Sequence, residues 1–354
     1  MLVILLPLLA LLEVALAASR FPYYQLIPRP KSGQRAQQRV CGTAHPDENL
    51  SKALRTLNTV EPDENNELWS PETFYRQILS QPLDKRAGAL ITVPLYMHVV
   101  SDAVNANPGA RMYVSDTQLT AQYNYIQDAF ANISVSFDLQ PTTRTINDRW
   151  ATGRDEYQMK QALRQGPYSA LNVYIQSNFT VYDDNGIAVP QQVLGVCTLP
   201  LGNITTTSTP DEYTYDGCQV LSGTLPGGAS APYNLGGTAA HEIGHWFGLL
   251  HTFEDNSCAA NSWGDYVADT PQQKNATSGC PPRNNQPDSC DTGVPAGWNG
   301  SPGQGPNPYN QQGYSGVDNT RNFMDYSTDV CYELFTAGQG ARVINGYGLW
   351  RKGK

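Results

Sequence analysis

Basic residues are scarce in this chain. Its 354 residues include 23 Lys and Arg against 32 Asp and Glu, which gives a formal net charge of −9. The basic residues form no long run, so the sequence lacks the basic patch that binds nucleic acid. Beyond the N-terminus, no apolar run approaches the roughly 20 residues that a membrane-spanning helix needs. We therefore expect neither a nucleic-acid partner nor a membrane anchor.

Histidine is also scarce, with five in total, yet three lie within the eleven residues from His241 to His251. His241 and His245 are four residues apart, so on a helix they share one face and can bind one zinc ion. Glu242 stands where a general base would act on a metal-activated water. Gly248 lets the chain leave the helix, and the turn can bring back His251 as a third ligand. Three protein ligands with one open position indicate a catalytic zinc site.

This motif, HExxHxxGxxH, resembles that of the metzincin clan of zinc endopeptidases. That clan carries a methionine in a tight turn beneath the metal, and Met324 within Asn-Phe-Met-Asp-Tyr matches it. The segment Gly-Asp-Tyr-Val-Ala-Asp-Thr-Pro at residues 264–271 extends the likeness. Together these residues resemble the pappalysin family of metzincins, and in particular its secreted extracellular metalloproteases of fungal type, over about residues 90–345.

The resemblance implies a metalloendopeptidase with one zinc ion per subunit that acts on protein or peptide substrates. The implied fold is α+β. Residues 87–250 would hold a twisted mixed β-sheet with helices, including the active-site helix, and residues 251–354 a loop-rich subdomain stapled by disulfides. Met324 would support the floor of the site without direct chemistry. In related enzymes a tyrosine two residues later helps to hold the carbonyl oxygen, a role that falls here to Tyr326.

Other interpretations remain open. A secreted zinc-binding module without activity would need the same ligands, but inactive relatives usually lose the glutamate or a ligand, and this chain keeps both. A zinc exopeptidase is disfavoured by the third histidine. The resemblance also implies calcium at Asp265 and Asp269, although solvated loop aspartates are an equally weighted alternative.

The N-terminus has the pattern of a secretory signal peptide. Residues 1–17 are apolar apart from Glu13 and end in Ala-Leu-Ala, which fits signal cleavage, with a buried helix as the alternative. We therefore expect a secreted, extracellular glycoprotein. Six sequons agree with this expectation: Asn49, Asn132, Asn178, Asn203, Asn275 and Asn299.

Residues 18–86 are polar with little periodicity, and we predict a propeptide with one short helix at 68–79. Cys41 lies in Arg-Val-Cys-Gly. In several metzincins a propeptide cysteine in a similar setting occupies the open zinc position and keeps the zymogen inactive. A disulfide is the alternative for this cysteine. Lys85 and Arg86 form a dibasic site at which a kexin-like processing protease would cut.

The chain has seven cysteines, an odd number. Four follow the zinc motif, and the sequence alone allows three pairings among them. The resemblance implies Cys258–Cys290 and Cys280–Cys331. Cys197 and Cys218 then remain as a third pair, which leaves Cys41 for zinc.

Apolar patterning predicts strands at residues 91–100, 133–140, 171–176, 193–199 and 218–221. It predicts helices at residues 115–132 and 156–165, and a short C-terminal helix at 335–344 with Thr336 as its cap. In metzincins an edge strand above the cleft pairs with the substrate backbone. We assign that place to residues 218–221.

Overall fold

The computed structural model describes residues 41–59, 91–182, 186–188, 193–255, 258, 262, 264–267, 269–291 and 316–354. Several predictions lie outside these residues: the signal peptide, the helix at 68–79, the dibasic site Lys85-Arg86 and the sequon at Asn299. No helix among the described residues has both the length and the apolar character needed to cross a membrane.

A mixed six-stranded sheet lies at the centre of the fold. Its strands are β1 (Ile91–Ser101), β2 (Val135–Leu139), β3 (Thr143–Ile146), β4 (Leu171–Gln176), β5 (Gly195–Cys197) and β6 (Cys218–Leu221). The order is β2-β1-β4-β6-β5, with β3 also paired to β1. All pairs are parallel except β5 with β6. The predicted α+β class with a twisted mixed sheet is therefore confirmed.

Strand β1 is apolar at most positions because both of its faces are covered in its second half, where residues 97–101 are all buried. Pro94, which lacks an N–H donor, pairs with Asp138 of β2 and lies one residue before β4 begins to pair at Leu95. The proline therefore interrupts no ladder on the β4 side, in agreement with the positions that sheets tolerate for this residue.

The helices are α1 (Glu48–Thr59), α2 (Asp116–Ala131), α3 (Asp148–Ala151), α4 (Glu156–Leu163), α5 (Gly237–Trp246) and α6 (Ala337–Trp350). Helix α2 begins at a capping box between Ser115 and Gln118, as the pattern predicts. Helix α5 packs on β5, β6 and α2. Phe130 of α2 contacts Phe247 and Phe335, with ring centroids 5.6 and 4.8 Å apart, so the core joins α2 to the ends of α5 and α6.

Two predictions need correction. Residues 218–221 form an inner strand between β4 and β5, so the edge strand is β5. Helix α6 runs to Trp350, beyond the predicted end at residue 344. Its glycines disfavour a long helix from propensity alone. Its side chains are mostly buried, however, and tertiary packing decides its length.

Helix α1 is an element that the sequence did not lead us to predict. The Asp47 carboxylate caps it by accepting from the N–H of Leu50 at 2.7 Å. Its apolar side chains form one cluster with Leu250 and Trp350, in which Leu50 and Leu54 are buried. The segment 41–59 is thereby packed against the end of the histidine motif and the last turn of α6.

The structure forms the three disulfides that the sequence analysis anticipates: Cys197–Cys218, Cys258–Cys290 and Cys280–Cys331. The first joins β5 to β6, and the other two lie in the loop-rich half. Cys41 is the one remaining cysteine, and it is buried with a free thiol.

Candidate metal centre and active site

Helix α5 and the turn after it carry the three histidines. The helix ends at Trp246 with Phe247 as its C-cap, and Gly248 has a left-handed φ of 93°. The N–H of Gly248 donates to the carbonyl of His245 at 2.8 Å, and the N–H of Leu249 donates to that of Gly244 at 2.9 Å. This is the Schellman pattern of a glycine-terminated helix. It reverses the chain and brings His251 beside His241 and His245 of α5.

Each imidazole uses its Nδ1 to bind the protein. Nδ1 of His241 lies 2.7 Å from the carbonyl oxygen of Phe323, and that of His245 lies 2.8 Å from the carbonyl oxygen of Leu249. Nδ1 of His251 lies 3.2 Å from Oε2 of Glu254. Since a carbonyl or carboxylate oxygen accepts, Nδ1 carries the proton in each ring. The three Nε2 lone pairs are therefore available for a metal.

The Nε2 atoms converge on one point. Nε2 of His241 and of His245 are 3.2 Å apart, close enough for one cation to contact both. Nε2 of His251 is buried without a hydrogen-bond partner. Burial and the nearby His251 lower the pKa of His245 to about 3, so His245 presents a neutral lone pair. This donor set fits a divalent metal ion of the zinc type.

Cys41 approaches the same point from the N-terminal segment. Its Sγ and one nitrogen of each of His241, His245 and His251 all lie within 4.8 Å of one another. Burial and the Glu242 carboxylate raise the pKa of the Cys41 thiol well above its usual value. The thiol therefore needs a positive charge beside it to become a thiolate, and a metal ion held by the three imidazoles would supply that charge.

The buried Glu242 faces the N-terminal segment. Its Oε2 accepts from Oγ1 of Thr43 at 3.1 Å and from the Cys41 thiol at 3.5 Å. Thr43 is fixed in turn, since its Oγ1 accepts from the N–H of Cys197 at 3.0 Å. The N–H of Gly42 donates to the carbonyl of Gly195 in β5 at 2.9 Å. The N-terminal segment thus bonds both to the edge strand β5 and to the carboxylate of Glu242.

Met324 lies beneath the histidines in a tight turn, with the N–H of Asp325 bonded to the carbonyl of Asn322 at 3.1 Å. Its side chain is fully buried. A Cβ added at Gly244 of α5 would lie 2.4 Å from its sulfur, so only glycine allows the turn to approach the helix this closely. The preceding residue, Phe323, supplies the carbonyl that orients His241.

Tyr326 stands beside the histidine rings, with centroids 5.8 Å from His241 and 5.0 Å from His251. Its hydroxyl oxygen accepts from the N–H of Cys41 at 3.2 Å. Burial and the Cys41 thiol raise the pKa of Tyr326 well above its usual value. The tyrosine therefore keeps its proton and remains able to donate.

Comparisons with known proteins agree with this geometry. Residues 158–347 match the model of the peptidase M43 family, described as pregnancy-associated plasma protein-A. An extracellular metalloprotease of Aspergillus oryzae is 37% identical over 328 residues, which cover 89% of this chain and 90% of the relative. An extracellular metalloprotease of Aspergillus fumigatus is 42% identical over 286 residues, covering 76% and 80%. The chain belongs to the M43 peptidase family.

Among solved structures, mature mirolysin of Tannerella forsythia in complex with a cleaved peptide is similar at a TM-score of 0.49 and 23% identity. The match covers 73% of this chain and 91% of that one. The predictions of a pappalysin-type metzincin and of a metalloendopeptidase are confirmed by the family and its relatives. Membership also favours an enzyme over an inactive zinc-binding module.

Asp265 and Asp269, the aspartates proposed for calcium, have different hydrogen-bond partners in this M43 peptidase. Asp269 is engaged at the start of α6, where its two oxygens accept from the Thr336 hydroxyl and the N–H of Gly338 at 2.6 and 2.7 Å. Asp265 accepts from Val267 through Oδ1 at 3.0 Å, and its Oδ2 is buried without a hydrogen-bond partner. Within the described residues, neither belongs to the metal-ligand group at the histidines.

Sequence reasoning missed several side chains of the site. Glu254 bonds to His251, and the sequence feature that could have revealed it is the position of a carboxylate three residues after His251. Thr43 and His45 approach the site from the N-terminal segment, and no local pattern marks them. Gly195 is needed because an added Cβ would lie 2.6 Å from Cγ of Glu242. The sequons described are exposed at Asn49, Asn178, Asn203 and Asn275 and partly buried at Asn132.

Proposed function

We propose that the chain is a secreted zinc-dependent endopeptidase, made as a zymogen, with Glu242 as the general base. The observation that supports it most is the meeting of three imidazole nitrogens and one free thiol at a single point. Three imidazoles match the ligand set of a catalytic zinc site with one open position. A thiol in that position matches an inhibited form.

His241, His245 and His251 would hold the ion through Nε2, because each Nδ1 is already bonded. Bound zinc supplies a Lewis acid for the scissile carbonyl and lowers the pKa of the attacking water. Once the N-terminal segment has left, Oε2 of Glu242 is free of Thr43 and Cys41. That oxygen takes the proton of the water and delivers it to the nitrogen of the leaving amine.

Tyr326 would hold the carbonyl oxygen as negative charge develops on it. Its hydroxyl, now the acceptor for the N–H of Cys41, can turn to donate when the segment is gone. Donors placed at the position of the developing charge stabilise the transition state of acyl transfer. The role requires a protonated phenol, which is the ordinary state of a tyrosine at neutral pH.

The substrate backbone would pair with β5. This strand is the edge of the sheet, and the main chain of Gly42 already bonds to Gly195 there. An extended peptide adding to a sheet edge gains main-chain hydrogen bonds whatever its side chains. A substrate at β5 would also place its scissile bond beside Glu242, since Gly195 touches that side chain.

Latency would come from residues 18–86 as the propeptide. Cys41 takes the open metal position, Thr43 engages Glu242, and Gly42 covers the edge strand. A cut after Arg86 by a kexin-like protease would permit release. The mature enzyme would comprise subdomains 87–250 and 251–354, secreted after loss of residues 1–17. The relatives named extracellular metalloproteases support secretion.

The decisive test is Glu242→Gln in the processed protein. Gln keeps the shape but removes the basic oxygen, so we expect one bound zinc per chain and a loss of about 10²–10⁴-fold in cleavage of an end-blocked peptide. Elemental analysis and mass spectrometry of the products provide the two measurements, with a chelator-treated parent as control. Absence of zinc from the parent, or retained cleavage in the variant, would reject the proposal.

Calcium binding at Asp265 is a separate part of the proposal. Burial raises the pKa of Asp265 to about 7. Because the folded pKa lies above the unfolded one, its contribution to stability is complete below about pH 4 and is lost as the pH rises through about 7. A calcium ion would offset this loss. We expect calcium to raise the Tm at pH 7.5 in the parent but not in Asp265→Asn, and an equal response in both would exclude the site.

A further inference from the structure

His251 differs from the other two histidines in its supporting partner. His241 and His245 donate to main-chain carbonyls, whereas His251 donates to the carboxylate of Glu254. A carboxylate carries a full negative charge. It therefore fixes the tautomer of the ring and raises the basicity of the opposite nitrogen more than a neutral carbonyl does.

A turn of the chain brings the carboxylate of Glu254 to the ring of His251, three residues before it. The N–H of Glu254 donates to the carbonyl of His251 at 3.0 Å, a one-turn reversal that carries the carboxylate back to the ring. The N–H of Thr252 donates to the carbonyl of Met324 at 3.2 Å, which ties the reversal to the methionine turn. Glu254 is only 7% exposed, so water competes little for its oxygens.

The second oxygen of Glu254 has a different partner. Oε1 contacts Nδ1 of His45, whose side chain is 64% exposed. His45 follows Cys41 by four residues, so the N-terminal segment reaches the metal-binding residues twice. The Cys41 thiol lies within 4.8 Å of one ring nitrogen of each of the three histidines, and His45 reaches His251 through the carboxylate of Glu254.

We propose that Glu254 is a positioning residue for the metal ligand His251, and that its other oxygen is the anchoring point by which His45 holds the N-terminal segment in the latent form. The proposal rests on the zinc peptidase function above. One side chain then serves both states: Oε2 orients the ligand throughout, and Oε1 is released when the segment leaves. Loss of Glu254 should affect both the three-histidine metal site and latency. Loss of His45 should affect latency and only the share of metal affinity that Cys41 contributes.

The first test measures zinc affinity by chelator competition in the full chain. A Glu242→Gln background prevents self-cleavage in every sample. We expect Glu254→Ala to weaken zinc binding by about 10- to 100-fold and Glu254→Gln to weaken it less, as for other outer-shell carboxylates. Glu333→Gln, at an exposed carboxylate paired with Arg283, is the matched control. His45→Ala shows how much affinity is lost through the anchor alone, so an affinity in Glu254→Ala no lower than that in His45→Ala would overturn the positioning role.

A merely structural role for Glu254 predicts another pattern. It would lower the Tm of the metal-free protein in Glu254→Ala and would not produce graded affinities in the Gln and Ala variants. Removing the carboxylate leaves the buried Nδ1–H of His251 without its acceptor, which destabilises the folded state. We therefore expect a lower Tm together with graded zinc affinities that fall further in Glu254→Ala than in Glu254→Gln. A parent that binds no zinc would instead refute the proposed function itself, so the two failures are distinguishable.

The second test measures the anchoring contact through the rate at which iodoacetamide alkylates Cys41, the only free thiol. One partner of the His45–Glu254 pair is exposed, so we expect His45→Ala to raise the rate by up to about fivefold. In Glu254→Ala the same His45 change should add nothing, because the partner is already absent. An unchanged rate in His45→Ala, or equal effects in both backgrounds, would overturn the anchoring role.

Discussion

Replacing Leu54 with alanine should loosen the N-terminal segment from the rest of the protein. The Leu54 side chain is fully buried against Leu250 and Trp350. Leu→Ala changes in cores destabilise by about 2–5 kcal/mol, and less where the site can collapse around the loss. The cluster around Leu54 is small and can partly collapse around the loss, so we expect a destabilisation of about 2–3 kcal/mol. At about 1.36 kcal/mol per factor of ten, the detached population would rise about 30- to 150-fold.

Alkylation of Cys41 measures that population directly. The other six cysteines form disulfides, so a single thiol reports detachment. The full chain carrying Glu242→Gln would be treated with iodoacetamide, and mass spectrometry would follow the modified fraction with time. If detachment and reattachment are fast relative to alkylation, the rate increases in proportion to the detached fraction.

Lys52→Ala provides the matched control, because this side chain lies on the exposed face of the same helix. Surface substitutions of this kind usually change stability by less than about 0.5 kcal/mol. We therefore expect its alkylation rate to stay within about twofold of the parent. Equal rates in Leu54→Ala and Lys52→Ala would show that the apolar seat of α1 does not hold the segment, and the proposed mechanism of latency would fail.

Two further predictions concern the frame of the site. Gly244→Ala would place a Cβ 2.4 Å from the sulfur of Met324. The overpacking costs about 1–3 kcal/mol and exceeds the gain in helix propensity of about 1 kcal/mol, so both Tm and zinc affinity should fall. An unchanged Tm would contradict the close packing. Asp216→Asn should destabilise the protein by about 3–5 kcal/mol at pH 7 by leaving buried guanidinium groups unpaired. Burial opposes ionisation of Asp216, but Arg351 and Arg164 outweigh it and hold the pKa of Asp216 below the usual value. The stability that the carboxylate contributes is thus present above about pH 4 and lost as the pH falls through the folded pKa. In urea unfolding, the stabilities of the parent and Asp216→Asn should therefore converge at low pH, and a constant difference would contradict the charge pairing.

Local spacing was enough to predict the parts of the fold that depend on neighbours in sequence. The register of His241 and His245 follows from the helical period, and Gly248 ends the helix through a positive φ. The start of helix α2 is indicated by Ser115 with a glutamine three residues later. Strands β1 and β4 are largely apolar because they are buried within the sheet.

The remaining features depend on contacts between distant segments. The strand predicted at 193–199 contains β5, but no pattern in it reveals that β5 lies at the edge of the sheet, a position decided by its pairing with β6. Helix α1 lies in a polar stretch, and its apolar stripe is explained only by Leu250 and Trp350, which are far from it in sequence. The contact between His45 and Glu254 has the same character. No pattern within a short window contains both partners.

Helix α5 shows why the site needs those distant contacts. It is ten residues long, contains three glycines if its N-cap Gly236 is included, and has no side-chain cap of its own. Isolated helices of this length are marginal in water. Asp329 caps its first turn by accepting from the N–H groups of Leu235 and Gly237 at 2.8 and 3.2 Å.

The other end of α5 is held by Asp216, which accepts from the indole of Trp246 at 3.1 Å and from Arg351 at 2.9 Å. The helix that carries His241 and His245, the two proposed metal ligands, is therefore fixed by carboxylates from outside it, at both ends. Because helix propensity contributes so little, the spacing of the histidines is maintained by these buried bonds. Their loss should weaken metal binding even though neither carboxylate is a metal ligand.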